Sequence, residues 1–585
     1  MRKTKILATL GPATNDVELI KNLIRAGMNA SRFNFSHGTH ETHLEMINKL
    51  KEAREALNMP IPMILDTKGP EIRIKTFSED KIYLDQGEPF TLTTQDIVGD
   101  KTRVSVTYGE LPRDLNVGSR VLIDDGLIEL KVISIQDTEI NCVVVNSGFL
   151  SSRKGVNVPD VYVNLPSLTE RDIDDIKFGI ENGFDYIAAS FVRSANDVLK
   201  VREVLEENGG ESIQIIAKIE SRDGVNNLDT ILEVADGIMV ARGDLGVEIP
   251  PEEVPLVQKE LIHKSNLLGK LVVTATQMLE SMVHNPRPTR AEANDVANAI
   301  FDGSDVIMLS GETANGAYPV EAVTMMARIA TKAEESIDYF NDLSSHRGVF
   351  KSNITNAISY ATCTTAADLT AAAIVCVTDS GFTARMVSRF RPTCPILAVT
   401  SDERVYRQLN LTWGCTPVVA DNISGNDEVF DIAEEKAMET GLAKNGDPII
   451  AVAGVPVGVA GTTNTLKVRI VGDVLINGQS HGGKVVSGNS RVIKVIEEAE
   501  RFFKRGDILV TTKTTDEMMP YLRKAGAIVV GSWENIDNSH AETVAKALDI
   551  PLLVAKQKVV DLIPDGIAIT VDSKNGFVYN GYKSV

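Results

Sequence analysis

The sequence predicts an α/β protein: a (β/α)8 TIM barrel with an all-β lid inserted into one barrel loop, followed by two further α/β segments. Three observations predict it. Eight short apolar runs, at residues 4–10, 29–35, 62–66, 185–191, 214–219, 237–241, 270–274 and 305–309, each have the length of a buried strand. Helical patterns, such as 17–26 and 173–181, lie between most of them. Eight strands alternating with helices close into a barrel, the alternative being an open doubly wound sheet. Finally, the rhythm breaks once, after the third run.

Two helix-start signals support the alternation. Ser167-x-x-Glu170 and Thr289-x-x-Glu292 both fit a capping box. After Asp66 roughly a hundred residues pass before the next helix, near Thr169. Within that insert, 121–123 and 141–145 read as strands, and Asp125-Gly126 and 116–118 as turns. The expected domains are a barrel over 1–69 and 167–342, a lid over 70–166, an α/β domain over 343–473 and an extra domain over 474–585. In the third of these, 354–369 and 383–390 read as helices and 373–378, 396–400, 449–452 and 465–471 as strands. In the last, the Gly-, Ser- and Asn-rich stretch 477–488 reads as a linker or loop. Beyond it, βα alternation passes through 508–511, 528–530, 544–547 and 552–554.

The chain has 585 residues, more than one core can serve. No apolar run reaches the ~18 residues of a membrane span. The basic start MRKTKILATLGP carries an apolar stretch too short for a signal peptide and reads as a strand, so the cytoplasm is the expected compartment. The five cysteines, Cys142, Cys363, Cys376, Cys394 and Cys415, have neither metal-ligand nor redox spacing. A net charge of −20 argues against nucleic acid as a partner. It also means that an anionic substrate must be met by local cations.

In such a barrel, chemistry belongs at the C-terminal strand ends. There the sequence places Arg32, Asn34, Ser36 and His37 after strand two, and Asp66, Thr67, Lys68, Glu71 and Arg73 after strand three. Lys218 and Glu220 follow on strand five, Arg242, Gly243 and Asp244 on strand six, Thr276 on strand seven and Ser310 on strand eight. Glu220 and Asp244, from neighbouring strands, suit a hard cation such as Mg²⁺. Lys218, two residues from Glu220, points into the same barrel mouth. A lysine beside a carboxylate-held cation is a phosphoryl-transfer arrangement.

The strings SRFNFSHG, LDTKGPEIR, IIAKIES, VARGDLGVEI, TATQMLESM, RPTRAEANDVANAI and MLSGETA occur in that order. Together they resemble the signatures of the pyruvate kinase family, and the general layout extends the likeness to about Val471. Ser31 and Phe33 stand where the family usually has Ala and Leu, and Asn294 replaces a common Ser. The resemblance implies transfer of the phosphoryl group of phosphoenolpyruvate to ADP. Under it, Lys218 and Arg32 bind the transferring phosphoryl, and Glu220 and Asp244 hold Mg²⁺ (or Mn²⁺). Gly243 and Asp244 N–H groups with the Thr276 hydroxyl take the substrate carboxylate, and Thr276 and Ser310 belong to the proton path. Asn34, His37, Arg73 and Lys154 face the nucleotide. Asn34, Ser36, Asp66 and Thr67 form a K⁺ site, and Glu71 stands where K⁺-independent relatives carry Lys. The resemblance also implies a homotetramer, with an effector-phosphate loop at Thr378, Ser380, Gly381, Phe382 and Thr383. Asp379 in that loop opposes a bisphosphate, so a sugar monophosphate or AMP is the expected effector. A metal-dependent carbon–carbon lyase acting on pyruvate or oxaloacetate is the alternative enzyme, because related barrels use similar Arg, Glu and Asp sites. A catalytically dead scaffold would need a missing catalytic group, and none is missing.

His37, His40 and His43 converge poorly on a helix and read as a solvated helix start rather than a metal cluster, with His37 alone near the nucleotide. Residues from about 475 to 585 resemble the swivelling domain of phosphoenolpyruvate-utilising enzymes. The phosphorylated histidine of active carriers has its counterpart in His540. However, Asn535 and Ile536 replace the carriers' glycines, Asn538 replaces their Thr, and Glu534 and Asp537 add negative charge. A structural role is therefore expected. His540→Ala should leave kinase activity unchanged, and intact-mass analysis after incubation with phosphoenolpyruvate and Mg²⁺ should show no phosphate on this domain. A stoichiometric adduct that vanishes in the variant would overturn that expectation.

Overall fold

A computed structural model describes residues 1–345, 353–420, 425, 428–456, 463–472, 474–496, 502–531 and 539–581. Two compact units divide the chain. One comprises Met1–Ser359, Thr378–Pro392 and Thr400–Asp421, the other Tyr360–Val377, Thr393–Val399 and Asn422–Val585.

The first unit contains a closed parallel barrel of eight strands: β1 (Lys5–Thr9), β2 (Ala30–Asn34), β3 (Met63–Asp66), β4 (Tyr186–Ala189), β5 (Gln214–Ile219), β6 (Gly237–Ala241), β7 (Leu271–Ala275) and β8 (Val306–Leu309). Each pairs with the strands before and after it in sequence, and β8 closes on β1 with Lys5 opposite Val306. The closed arrangement excludes the doubly wound sheet. Side-chain parity divides two cores. Ile6, Phe33, Leu65, Ile215, Ala217 and Ile219 face the surrounding helices. Leu7, Ala30, Ile64, Tyr186, Ala188, Ile216, Met239, Val273 and Met308 fill the barrel interior. Because successive strand residues alternate faces, the interior set extends by steps of two to Thr9, Arg32, Asp66, Ser190, Lys218, Ala275 and Ser310. Those residues form the uppermost rungs of the barrel.

The helices that hold this sheet are capped as their sequences direct. In Val17–Ala26, the Asp16 side chain accepts from Leu19 N–H, while Ile20, Leu23 and Ile24 form the buried stripe and Gly27, at φ 121°, ends the helix. Thr289 and Glu292 make the expected capping box on Arg290–Phe301. Ser167 and Glu170 do not make theirs. Thr169 caps Glu170–Glu181 with Asp172 as its partner, and the Ser167 hydroxyl instead donates to Asp197. Asp serves as well as Glu at the third position, which let the motif slide by two residues.

The insert folds around its own core, with Phe90, Leu92, Val121, Leu130 and Ile140 at its centre. It contains a seven-stranded sheet, a two-stranded ribbon (Lys81–Leu84 with Gly148–Ser151) and one short helix, Leu111–Asp114, that the sequence reading passed over.

In the second unit, Ile396–Thr400, Ala373–Val377 and Pro448–Ala453 run parallel, and Thr465–Ile470 adds an antiparallel edge. A separate eight-stranded sheet builds the C-terminal region, with Leu509, Ile528 and Leu552 packed on one face and Ile508, Val529 and Leu553 on the other. The stretch expected as a linker, 477–488, is part of that sheet: Gln479–His481 pairs with Leu552–Ala555, and Val485–Ile493 with Ala568–Asp572. Two of its four glycines serve close approach rather than flexibility. A Cβ on Gly478 would lie 2.3 Å from the Val554 oxygen, and one on Gly488 2.4 Å from that of Gly506. Positions 534–538, on which the comparison with phosphohistidine carriers turns, lie outside the described residues. His540 itself opens the helix His540–Leu548, with Nδ1 2.8 Å from the Thr514 hydroxyl and Nε2 3.2 Å from Asp516. Among the described residues no helix is long and apolar enough to cross a membrane.

Candidate active site

At the C-terminal mouth of the barrel the interior rungs become polar, and their side chains meet. Asn34 and Asp66 are direct partners across β2 and β3, and Arg32 lies opposite Thr9. Arg32 Nε donates to Asp66 Oδ2 at 2.5 Å and its Nη1 to the Thr9 hydroxyl at 3.1 Å. The Lys218 ammonium lies 3.0 Å from Asp66 Oδ1, 3.0 Å from Glu220 Oε1 and 2.7 Å from the Ser190 hydroxyl. Asp66 and Glu220 are buried, and the Lys218 side chain is 12% exposed.

The electrostatics follow from that burial. Desolvation alone would lower the Lys218 ammonium, but Asp66 and Glu220 outweigh it and the group is raised, so it stays protonated. Burial acts against the charge on Asp66 too, yet Arg32 and Lys218 win and hold it below the usual carboxylate range. Glu220 is pushed up to about 7 by burial, opposed by Lys218 and reinforced by Asp244. Asp244 is also raised by burial, against the opposing pull of Lys218. A buried carboxyl and the half-buried one that raises it need a proton or a cation between them. A hard dication that takes one or two carboxylates and completes its shell with water and substrate oxygens fits this pair.

Two left-handed turns frame the pair. Phe191, at φ 54°, directs its N–H to Glu220 Oε2 at 2.5 Å. Thr276 and Gln277, at φ 66° and 53°, turn the chain after β7 so that the Thr276 hydroxyl accepts from Gly243 N–H at 2.8 Å. Such conformations in residues other than glycine persist only where their surroundings fix them, and they cluster at functional sites. Ser310, where β8 ends, has its N–H held by Glu312 Oε2 at 2.7 Å.

Arg73, Lys154 and Asp244 line one cleft of about 640 Å³, together with Glu71, Asp124, Asp125, Arg193, Arg222 and Glu248. Arg73 is paired to Glu71 at 2.5 Å and Lys154 to Asp124 at 2.8 Å. His37 is exposed and does not line this cleft. Among the residues expected to bind K⁺, Asn34 Oδ1 accepts from Ser36 N–H at 3.1 Å and the Thr67 hydroxyl from Ser190 N–H at 3.1 Å. The loop at Thr378, Ser380, Gly381, Phe382 and Thr383 leads into the helix Phe382–Ser388, with Gly381 at φ 76° as its cap. Arg385 of that helix donates to the Ser380 carbonyl at 3.1 Å.

Among the described residues no group of three metal-ligating side chains forms, and the histidines are accounted for otherwise. They are more packed than a solvated helix start implies: His43 stacks on Phe35 at 4.1 Å and His40 on Phe178 at 4.3 Å. Sequence reasoning missed Ser190, which donates to the Thr67 carbonyl at 2.6 Å while receiving Lys218. Strand parity from Ala188 would have found it. The departures beside Arg32 are absorbed locally. The Ser31 hydroxyl donates to the Pro62 carbonyl at 3.1 Å, and Phe33 packs edge-on against Phe184 at 5.3 Å.

The chain's similarities agree with this geometry. Residues 1–323 match the pyruvate kinase barrel domain and 356–469 the pyruvate kinase alpha/beta domain. The chain belongs to the pyruvate kinase family. Residues 503–576 match the mobile domain of PEP-utilising enzymes. Pyruvate kinases from Geobacillus stearothermophilus and Bacillus licheniformis are each 50% identical, with all of both chains covered. One from Clostridium acetobutylicum is 52% identical, but its whole length covers 80% of this chain. A solved pyruvate kinase from Cryptosporidium parvum superposes with a TM-score of 0.76 at 41% identity, covering 80% of this chain and 96% of that one. With membership of this family the lyase alternative is set aside.

Lys218→Met should nearly abolish turnover and leave the fold intact, because Asp66 keeps Arg32 as its partner. Losing one preorganised electrostatic contact costs ~10²–10³ in rate, and a cation facing a phosphoryl group should cost at least that. Circular dichroism and a steady-state assay on the variant check it; near-normal turnover would sink the role.

Proposed function

We infer that this pyruvate kinase family member is a phosphotransferase that moves the phosphoryl group of phosphoenolpyruvate to ADP, yielding pyruvate and ATP in the last step of glycolysis. The observation that supports it most is the protonated Lys218 held between Asp66 and Glu220, with Arg32 alongside, at the barrel mouth. A phosphoryl group in transfer carries its charge on peripheral oxygens, so positioned cations are the main catalytic resource.

In this reading Arg32 and Lys218 bind the phosphoryl oxygens. Gly243 and Asp244 N–H groups and the Thr276 hydroxyl orient the substrate carboxylate. The phosphoenolpyruvate P–O bond breaks as a β-phosphate oxygen of ADP bonds to phosphorus, and the enolate left behind takes a proton at carbon along the path of Thr276 and Ser310. Glu220 and Asp244 would hold Mg²⁺ (or Mn²⁺), which would supply charge neutralisation for the transferring group. Asn34, His37, Arg73 and Lys154 receive the nucleotide phosphates, with the all-β insert closing over the cleft to exclude water. The enzyme works as a cytoplasmic homotetramer.

Asn34, Ser36, Asp66 and Thr67 offer an amide, a carboxylate and two hydroxyls to a large, weakly hydrated cation such as K⁺. Glu71 is engaged with Arg73 and Lys68 and brings no positive charge of its own to that corner. Pyruvate formation should therefore require phosphoenolpyruvate, ADP and Mg²⁺ together and should be stimulated by K⁺, while Glu71→Lys relieves the K⁺ requirement. Absence of pyruvate would refute the activity; equal wild-type rates in Na⁺ and K⁺ would refute the monovalent site alone.

The 378–383 loop, with Asp379 inside it, is suited to one phosphate rather than two. Ribose 5-phosphate or AMP should activate more than fructose 1,6-bisphosphate. Strong activation by the bisphosphate alone would show that this loop is read wrongly.

A further inference from the structure

We propose that Arg242 is the positioning residue of the substrate-carboxylate site, its guanidinium clamping the left-handed turn after β7 in the shape that presents the Thr276 hydroxyl. This rests on the reading that Gly243, Asp244 and Thr276 receive the carboxylate of phosphoenolpyruvate. The Arg242 side chain has no hydrogen bond to the Thr276 hydroxyl itself, and acts through the carbonyls of Ala275 and Thr276.

Thr276 is β-branched and sits at φ 66°, followed by Gln277 at φ 53°. Two successive residues of this kind do not hold such a conformation unaided. In an extended strand successive carbonyls point to opposite sides; here those of Ala275 and Thr276 converge on one guanidinium. Arg242 Nε donates to the Ala275 oxygen at 3.1 Å and Nη2 to the Thr276 oxygen at 2.8 Å. Its Nη1 donates to Asp295 Oδ1 at 2.6 Å. Asp295 lies on Arg290–Phe301, the helix between β7 and β8, so the clamp is anchored on the scaffold rather than on a loop.

The next residue, Gly243, closes the circuit by donating its N–H to the Thr276 hydroxyl. One segment thus supplies both a guanidinium that fixes the turn and a backbone N–H that reads the hydroxyl the turn presents. The Arg242 side chain is 11% exposed, which shields these bonds from competing water. The Ala275 carbonyl, the Thr276 carbonyl and the Asp295 carboxylate each take a different nitrogen, as the rigid fork of a guanidinium allows, with Gln258 Oε1 at 3.4 Å and Met278 Sδ at 2.8 Å as further acceptors. A lysine ammonium, a point charge on a flexible stem, cannot span them at once.

The test uses the full-length enzyme with Arg242→Lys, Arg242→Ala and, to loosen the anchor alone, Asp295→Asn. Arg242→Lys should raise KM for phosphoenolpyruvate and lower kcat, for a combined loss of ~10²-fold in kcat/KM, the cost of a misplacement of about 1 Å. KM for ADP should stay within about two-fold, since the nucleotide residues lie elsewhere; a collapse of the whole fold would raise both. Asp295→Asn should shift the same parameter less, and guanidinium ion should partly restore Arg242→Ala. Independently of activity, amide exchange across residues 271–283 should quicken in Arg242→Ala without substrate. Wild-type phosphoenolpyruvate kinetics in Arg242→Lys, or unchanged exchange in Arg242→Ala, would overturn the proposal. So would equal rises in both KM values with a fall in Tm. A wild-type enzyme that makes no pyruvate would instead refute the substrate reading, and the exchange measurement would still decide whether Arg242 clamps the turn.

Discussion

The site depends on a buried cation shared between two buried carboxylates: Lys218 with Asp66 on one side and Glu220 on the other. Such a network is a poor way to gain stability. Each ion carries a desolvation penalty of several kcal/mol, and well-packed apolar residues would do as well or better. An exposed pair would contribute ~0–1 kcal/mol and could not hold a geometry. What the burial secures is a fixed, protonated ammonium in a low-dielectric mouth, where its field acts on a bound anion at nearly full strength. The barrel makes this affordable by fixing every partner on a strand end rather than a loop. Asp66 is shared by Arg32 and Lys218, so removing either cation leaves the other to balance it.

The surrounding backbone is shaped to the same end. Phe191 adopts a left-handed conformation and thereby aims an N–H at Glu220, while Thr276 adopts one and aims its hydroxyl at Gly243. Each turn lies where a strand stops and the chain must leave the barrel. Both turns therefore sit at the mouth, above an interior that is packed and ordinary. Rigid strands below and strained turns above separate what holds the fold from what performs the chemistry.

Much of this was legible in the sequence because strands have a period of two and charged groups seldom lie in strands without cause. Lys218 and Glu220 were placed in the barrel mouth by spacing alone, and the eight apolar runs fell within a residue or two of the eight strands. Ser190 was passed over because a hydroxyl carries no charge to draw attention, although its parity with Ala188 gives it away. Arg242 was legible as a residue but not as a clamp. Its partners include two carbonyls and a carboxylate 53 positions away, and the convergence of the carbonyls depends on a backbone turn that no local signal announces. The misread linker at 477–488 has a physical cause too: glycine marks both flexible chain and crowded backbone, and composition cannot tell the two apart.

Lys218 serves the transferring group rather than gluing the mouth together. Calorimetric titration of Mg²⁺ into Lys218→Met, compared with the wild type, separates these roles. Glu220 feels Lys218 as a competing positive charge, so its removal should leave Mg²⁺ binding as tight as before or tighter while phosphoryl transfer is lost. Mg²⁺ affinity falling together with turnover would contradict this role, because it would mean that the ammonium holds the carboxylates in place instead of facing the substrate.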